Sequence, residues 1–108
     1  MMGDVTDADF EERVLGSTTP VLVDFWAEWC VPCHMVSPVV EEIARQFSSK
    51  MRAVKLNVDD NPDVTRRFGV MSIPTLMLFK GGVEIARVVG ARGKDALLKE
   101  IDPHVPAA

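Results

Sequence analysis

Residues 20–26, Pro20-Val21-Leu22-Val23-Asp24-Phe25-Trp26, form an almost unbroken apolar and β-branched run. A strand with one wet face alternates apolar and polar residues. A run without that alternation is the pattern of a strand covered on both faces, as in the middle of an α/β sheet. Asp24 is the exception that needs a reason. The rest of the chain supplies the cover. From Cys33 to Phe47 the apolar residues Val36, Val40, Ile43 and Phe47 fall at helical spacing, with Glu41, Glu42 and Arg45 off that stripe. Pro38 lies within this stretch and predicts a kink, because it removes one backbone hydrogen bond and crowds the preceding turn. Residues 51–58 alternate, with Val54, Leu56 and Val58 as the buried side of a second strand.

Further signals complete the order. Thr6 followed by Asp9, with Phe10, Val14 and then Gly16, reads as a short capped helix ending at a glycine. Asn61 as N-cap, Pro62 as first helical residue and Gly69 as terminator mark another. Residues 75–80 and 83–89 are strands joined by Gly81-Gly82, a tight antiparallel hairpin. Leu97, Leu98 and Ile101 give an apolar face to a last helix from about Lys94, before Pro103. The sequence therefore predicts an α/β fold, a central mixed β-sheet flanked by helices on both faces, in one domain over residues 1–108 with a tail over about 103–108. The crossover through residues 33–47 makes the first two long strands parallel, and ligands of such sheets collect at the carboxyl ends of strands. The working site is thus expected between Trp26 and Cys33.

Composition narrows the function. With 108 residues, of which 47% are apolar, the chain can build a core without staples. Its two cysteines are therefore expected to do something other than reinforce. A net charge of −4, with scattered Lys and Arg, argues against nucleic acid as partner. No apolar run is long enough to span a membrane, and the N-terminus lacks the pattern of a secretory signal, so a cytoplasmic protein is expected.

In a reducing compartment, two cysteines three apart are catalytic or metal-binding rather than a permanent bridge. Cys30 closes the loop before the helix and Cys33 lies in its first turn, near the positive end of the helix, where a thiolate is stabilised. Cys30, with its sulfur expected to be exposed and near unpaired helical N–H groups, is the candidate nucleophile; Cys33 is the candidate resolving thiol. Pro32 suits an early helical position that needs no N–H donor. A Cys-x-x-Cys pair alone also fits a metal site. Here Cys30, Cys33 and His34 would need a fourth ligand; there is no second cysteine pair, His104 lies near the chain end, and no metal is expected. Asp24, costly to ionise in an apolar strand, is a candidate base for Cys33; the competing reading is a buried ion pair with Lys55, which also interrupts an apolar strand.

The stretch Val23-Asp24-Phe25-Trp26-Ala27-Glu28-Trp29-Cys30, with Pro32-Cys33 and Ile73-Pro74-Thr75-Leu76, resembles the thioredoxin family, and the likeness covers nearly the whole chain. The resemblance implies the thioredoxin fold, and a protein-disulfide reductase working by dithiol–disulfide exchange through a mixed disulfide. It implies no bound cofactor beyond the redox-active Cys30–Cys33 disulfide or dithiol, a thioredoxin reductase and disulfide-containing proteins as partners, and a monomer. It implies a cis bond before Pro74, beside the cysteines, and a substrate-docking patch of Trp29, Val31, Pro32, Ile73, Pro74, Gly90 and Ala91. Ile73 and Val89 fit ordinary core equally well. The family's roles also fall on Asp24 as base and on Lys55 as its electrostatic neighbour. Val31 departs from the family's usual glycine and His34 from a frequent lysine. A disulfide oxidase or isomerase and a thioredoxin-like binding scaffold are the alternatives; family members of the oxidising kind usually carry histidine between the cysteines, where this chain has Val31-Pro32.

Overall fold

The computed structural model describes residues 2–105, Ser48 through its backbone alone. In chain order the elements are β1 Gly3–Asp4, a short π-type helical stretch Glu11–Leu15, β2 Val21–Trp26, α1 Val31–Phe47, β3 Arg52–Asn57, α2 Pro62–Arg67, β4 Thr75–Lys80, β5 Val83–Val89 and α3 Lys94–Ile101. Among these residues the strands form one mixed sheet in the order β1-β3-β2-β4-β5. β2 is central, parallel to β3 and antiparallel to β4.

The unbroken apolar run of β2 divides by parity. Val21, Val23 and Phe25 pack with Phe10, Val14, Val54, Leu56, Val64, Met77 and Phe79 on one face of the sheet. Leu22 faces the other way, into a core with Val36, Val40, Ile43 and Phe47 of α1 and Leu97 and Ile101 of α3. Each large side chain buried this way contributes about 1.5–3 kcal/mol. Asp24 shares the parity of Leu22 and so points toward α1.

Local chemistry fixes the element ends. Asp9 Oδ1 accepts the Thr6 N–H at 2.7 Å, the reach-back of a capping box. α1 starts at Val31, two residues earlier than expected, and continues past Pro38 to Phe47. Asn61 holds the N-cap position of α2 as expected, but its side chain makes no capping hydrogen bond; its Oδ1 accepts the Asp7 N–H at 2.8 Å instead. The Asp7 carboxylate in turn accepts the N–H groups of Asp63 and Val64 at 3.1 and 2.8 Å. Gly69, at φ +65°, ends α2 as expected, with the Val70 N–H returning to Thr65 O at 3.0 Å. Gly81 and Gly82 both have positive φ, 60° and 81°, as a two-residue hairpin turn demands.

Two further differences lie at the ends. β1, unseen in the sequence, pairs in parallel with β3, Gly3 against Val54 and Asp4 against Lys55. Of the expected tail, Asp102–His104 makes a single 3-10 turn and Val105 is buried in the α1–α3 core; residues 106–108 lie outside the described residues.

Candidate active site

Because β2 and β4 are antiparallel, with Phe25 opposite Thr75, the loop leaving β2 meets the segment entering β4. The sheet thus brings residues 27–33 against residues 72–74. Cys30 Sγ lies 3.9 Å from the carbonyl oxygen of Ile73. The Ile73-Pro74 bond is cis. Gly90, at φ +91°, donates its N–H to Pro74 O at 2.8 Å, so the end of β5 is tied to the same corner.

Cys30 and Cys33 are joined as a disulfide, with their Cα atoms 5.3 Å apart. Cys30 occupies the position before α1, and its carbonyl accepts the N–H groups of Cys33 and His34 at 3.1 and 3.3 Å. The Cys33 N–H also points at Cys30 Sγ, 3.3 Å away, so the expected reach of helical amides to the first sulfur is present. The expected exposure of that sulfur is not: Cys30 is only 4% exposed and Cys33 0%. Ala27 packs with the pair, and Trp26, Val58 and Ile73 close around them. What accessibility remains belongs to Cys30.

Asp24 is fully buried. Ser37 Oγ donates to its Oδ2 at 3.1 Å, while Oδ1 has no hydrogen-bond partner among the described residues. Burial pushes the carboxyl up from its ordinary value to about 6; the Ser37 hydrogen bond and, less, the charge of Lys55 pull against that rise. Lys55 stands beside Asp24 in the parallel register. Its ammonium group, however, lies 3.9 Å from Asp4 Oδ1 and 4.8 Å from the centre of the Trp26 ring. Lys55 thus pairs with Asp4 rather than closing a buried ion pair with Asp24, and Asp24 is joined to the Cys33 backbone through Ser37, whose hydroxyl reaches both Asp24 Oδ2 and the Cys33 carbonyl at 3.1 Å.

The residues expected to dock substrate surround this corner unequally. Trp29 and Val31 are 68% and 67% exposed, and Pro32 and Ala91 are exposed as well. Ile73 and Gly90 are half-buried and Pro74 is buried. Val89 is exposed and not core. Two features went unread in the sequence. Trp29 Nε1–H donates to Asp59 Oδ2 at 2.8 Å, which pins the indole over the loop after β3. A groove of about 370 Å³ is lined by Trp29, Val70, Met71 and by Val58 and Ile73, the last two of which also pack against the cysteine pair. His34 donates Nε2–H to Glu28 O at 2.7 Å and meets Trp26 edge-on, so it holds the loop as well as facing solvent.

The family model described as Thioredoxin matches residues 2–103. The chain belongs to the thioredoxin family. It is 57% identical over 102 residues to Thioredoxin of Mycobacterium tuberculosis, covering 94% of this chain and 88% of that protein. It is 54% identical over 101 residues to Thioredoxin 1 of Nostoc, covering 94% of each. A Mycobacterium leprae protein named bifunctional thioredoxin reductase/thioredoxin is 54% identical over 103 residues, 95% of this chain and 22% of that longer protein. As a thioredoxin, the chain is a thiol–disulfide oxidoreductase that reduces protein disulfides, and its redox centre is the Cys30–Cys33 pair without a cofactor. Among the described residues no group of three or more His, Cys, Asp or Glu is arranged to hold a metal ion, and no helix is long and apolar enough to cross a membrane.

Proposed function

We propose that in the reduced protein Cys30 is the attacking thiolate and Cys33 the resolving thiol. The observation that carries this reading is the Cys33 amide directed at Cys30 Sγ: an N–H at the positive end of a helix favours the anion on that sulfur. Cys30 attacks one sulfur of a substrate disulfide. That bond breaks, the other substrate sulfur leaves as a thiolate, and a mixed disulfide joins Cys30 to the substrate. Cys33 then gives its proton to the carboxylate of Asp24 and attacks Cys30 Sγ, and the second substrate thiolate leaves. The substrate gains two electrons and the chain ends as the Cys30–Cys33 disulfide. Asp24 suits the base role because it is buried, is joined through Ser37 to the Cys33 backbone, is basic enough to take a proton near neutrality, and has an oxygen without a hydrogen-bond partner among the described residues.

An extended substrate segment would lie along the backbone of Ile73 and Pro74, flanked by Trp29, Val31, Pro32, Gly90 and Ala91. Backbone pairing supplies affinity with little demand on sequence. Lys55, close to Trp26 and on the strand beside Asp24, acts on that acid through space. Recharging by a thioredoxin reductase is supported by the name of the Mycobacterium leprae relative, which joins both activities in one chain. A reducing compartment, the cytoplasm, fits a pair that must be returned to the dithiol, and a monomer leaves the patch open to large substrates.

The test is reduction of insulin disulfides, with the redox potential measured on the same preparation. A reductase turns insulin over and has a strongly reducing potential; a potential as oxidising as that of a disulfide oxidase, or no turnover, would sink this reading in favour of an oxidase or a binding scaffold.

A further inference from the structure

Ser37 lies one turn after Cys33 on α1, so both sit on one face of the helix, the face turned toward Asp24. Its hydroxyl oxygen is 3.1 Å from Asp24 Oδ2 and 3.1 Å from the carbonyl oxygen of Cys33. A helical serine often bonds the carbonyl four residues back. What distinguishes Ser37 is that it has two acceptors and one proton. The Cys33 carbonyl can only accept. The carboxyl of Asp24 accepts when ionised and donates when protonated. Its charge therefore sets the direction of the bond. An ionised Asp24 draws the serine proton to itself, and the Cys33 carbonyl goes without. A protonated Asp24 donates to Ser37 Oγ, and Ser37 donates onward to the Cys33 carbonyl.

We infer that Ser37 is a positioning residue coupled to Asp24, its hydroxyl holding the carboxylate while that group is ionised and turning to the Cys33 backbone once it has taken up a proton. For its bearing on turnover the inference rests on the base role proposed above; the coupling itself belongs to the Asp24–Ser37 pair and can be read without turnover. The surroundings leave this role to Ser37. Among the described residues, β3 presents Lys55, which leans to Asp4 of β1. β4 presents Leu76 opposite Asp24. α1 presents Cys33, which carries no charge in the disulfide. Among the described residues no other group donates to Asp24 Oδ2, and Oδ1 has no hydrogen-bond partner.

The test uses Ser37→Ala and Ser37→Thr in the full chain. The titration of the Asp24 carboxyl is followed by carbon NMR in the disulfide form, and the pH profile of insulin reduction is followed alongside. In the alanine variant the Asp24 midpoint should rise by roughly one pH unit, the size of one hydrogen bond to a charged group. The acid limb of the rate profile should move the same way, and threonine should restore both. An Asp24 midpoint unmoved by alanine, or one that threonine fails to restore, overturns the coupling. A midpoint that moves while the rate profile stays fixed upholds the coupling and removes the base role from Asp24 instead.

Discussion

Cys33 directs its backbone N–H at Cys30 Sγ, 3.3 Å away, so the two cysteines of the pair stand in unequal fields. The same amide also approaches the Cys30 carbonyl, which makes residue 30 both the cap of α1 and the site where its positive end is felt. In the reduced protein the Cys30 thiol should ionise more readily than a free cysteine, measured by thiolate absorbance. Cys33→Ser should accumulate a mixed disulfide with a protein substrate, visible as an added mass, whereas Cys30→Ser should neither trap substrate nor turn over. Trapping by the Cys30→Ser variant would reverse the roles.

Asp24 has a folded-state pKa near 6, against an ordinary value of 3.8. Between those values the folded protein holds a proton that the unfolded chain has lost, so stability falls as pH rises through the window. Asp24→Asn removes the ionisation. The variant should match the parent below about pH 4 and exceed it at pH 8 by on the order of 3 kcal/mol. Urea unfolding of the disulfide form at the two pH values checks the sign; equal stability at pH 8 would mean that burial costs this carboxylate nothing.

The cap of α2 comes from Asp7, more than fifty residues away in sequence. Asp7→Ala leaves two helical N–H groups without their acceptor and should cost about 1–2 kcal/mol, read as a lower urea midpoint. Asn61→Ala should also destabilise, through the lost bond that positions Asp7, and the double variant should cost less than the two together.

These residues show what the sequence could and could not disclose. β2, β3, the glycine hairpin, α1 and α3 were readable because each repeats its own pattern over six or more residues. β1 was not: two exposed residues carry no period, and they pair only because β3 offers an edge. Asp7 capping α2 depends on tertiary proximity alone. Cys30, Cys33, Asp24 and Pro74 could be singled out by residue type and context, while the burial of Cys30 depends on Ile73 folding over it from another part of the chain. Ser37 did carry a local signal, its spacing of four from Cys33, but a serine within a helix ordinarily reads as surface.

Gly90 sits at φ +91° with open space where a side chain would project, so a substitution there meets backbone strain rather than a clash. Gly90→Val should lower stability by about 1–3 kcal/mol. Since the Gly90 N–H holds Pro74 O, it should also raise KM for insulin while leaving the reaction with a small disulfide nearly unchanged. A loss of equal size with both substrates would show that residue 90 supports the sulfur chemistry and not the docking of protein substrates.

The antiparallel register that sets Phe25 against Thr75 at one end of the β2–β4 pair sets Val21 against Phe79 at the other. The Gly81-Gly82 turn that follows β4 is therefore on the far side of the sheet, roughly 15 Å or more of strand away from the sulfurs. The molecule has a reactive pole and a silent one. A fluorophore, a surface anchor or a new pair of chain ends placed at the silent pole would leave the path of electrons untouched, and every partner, whether it delivers electrons or takes them, must come to the same small corner in turn.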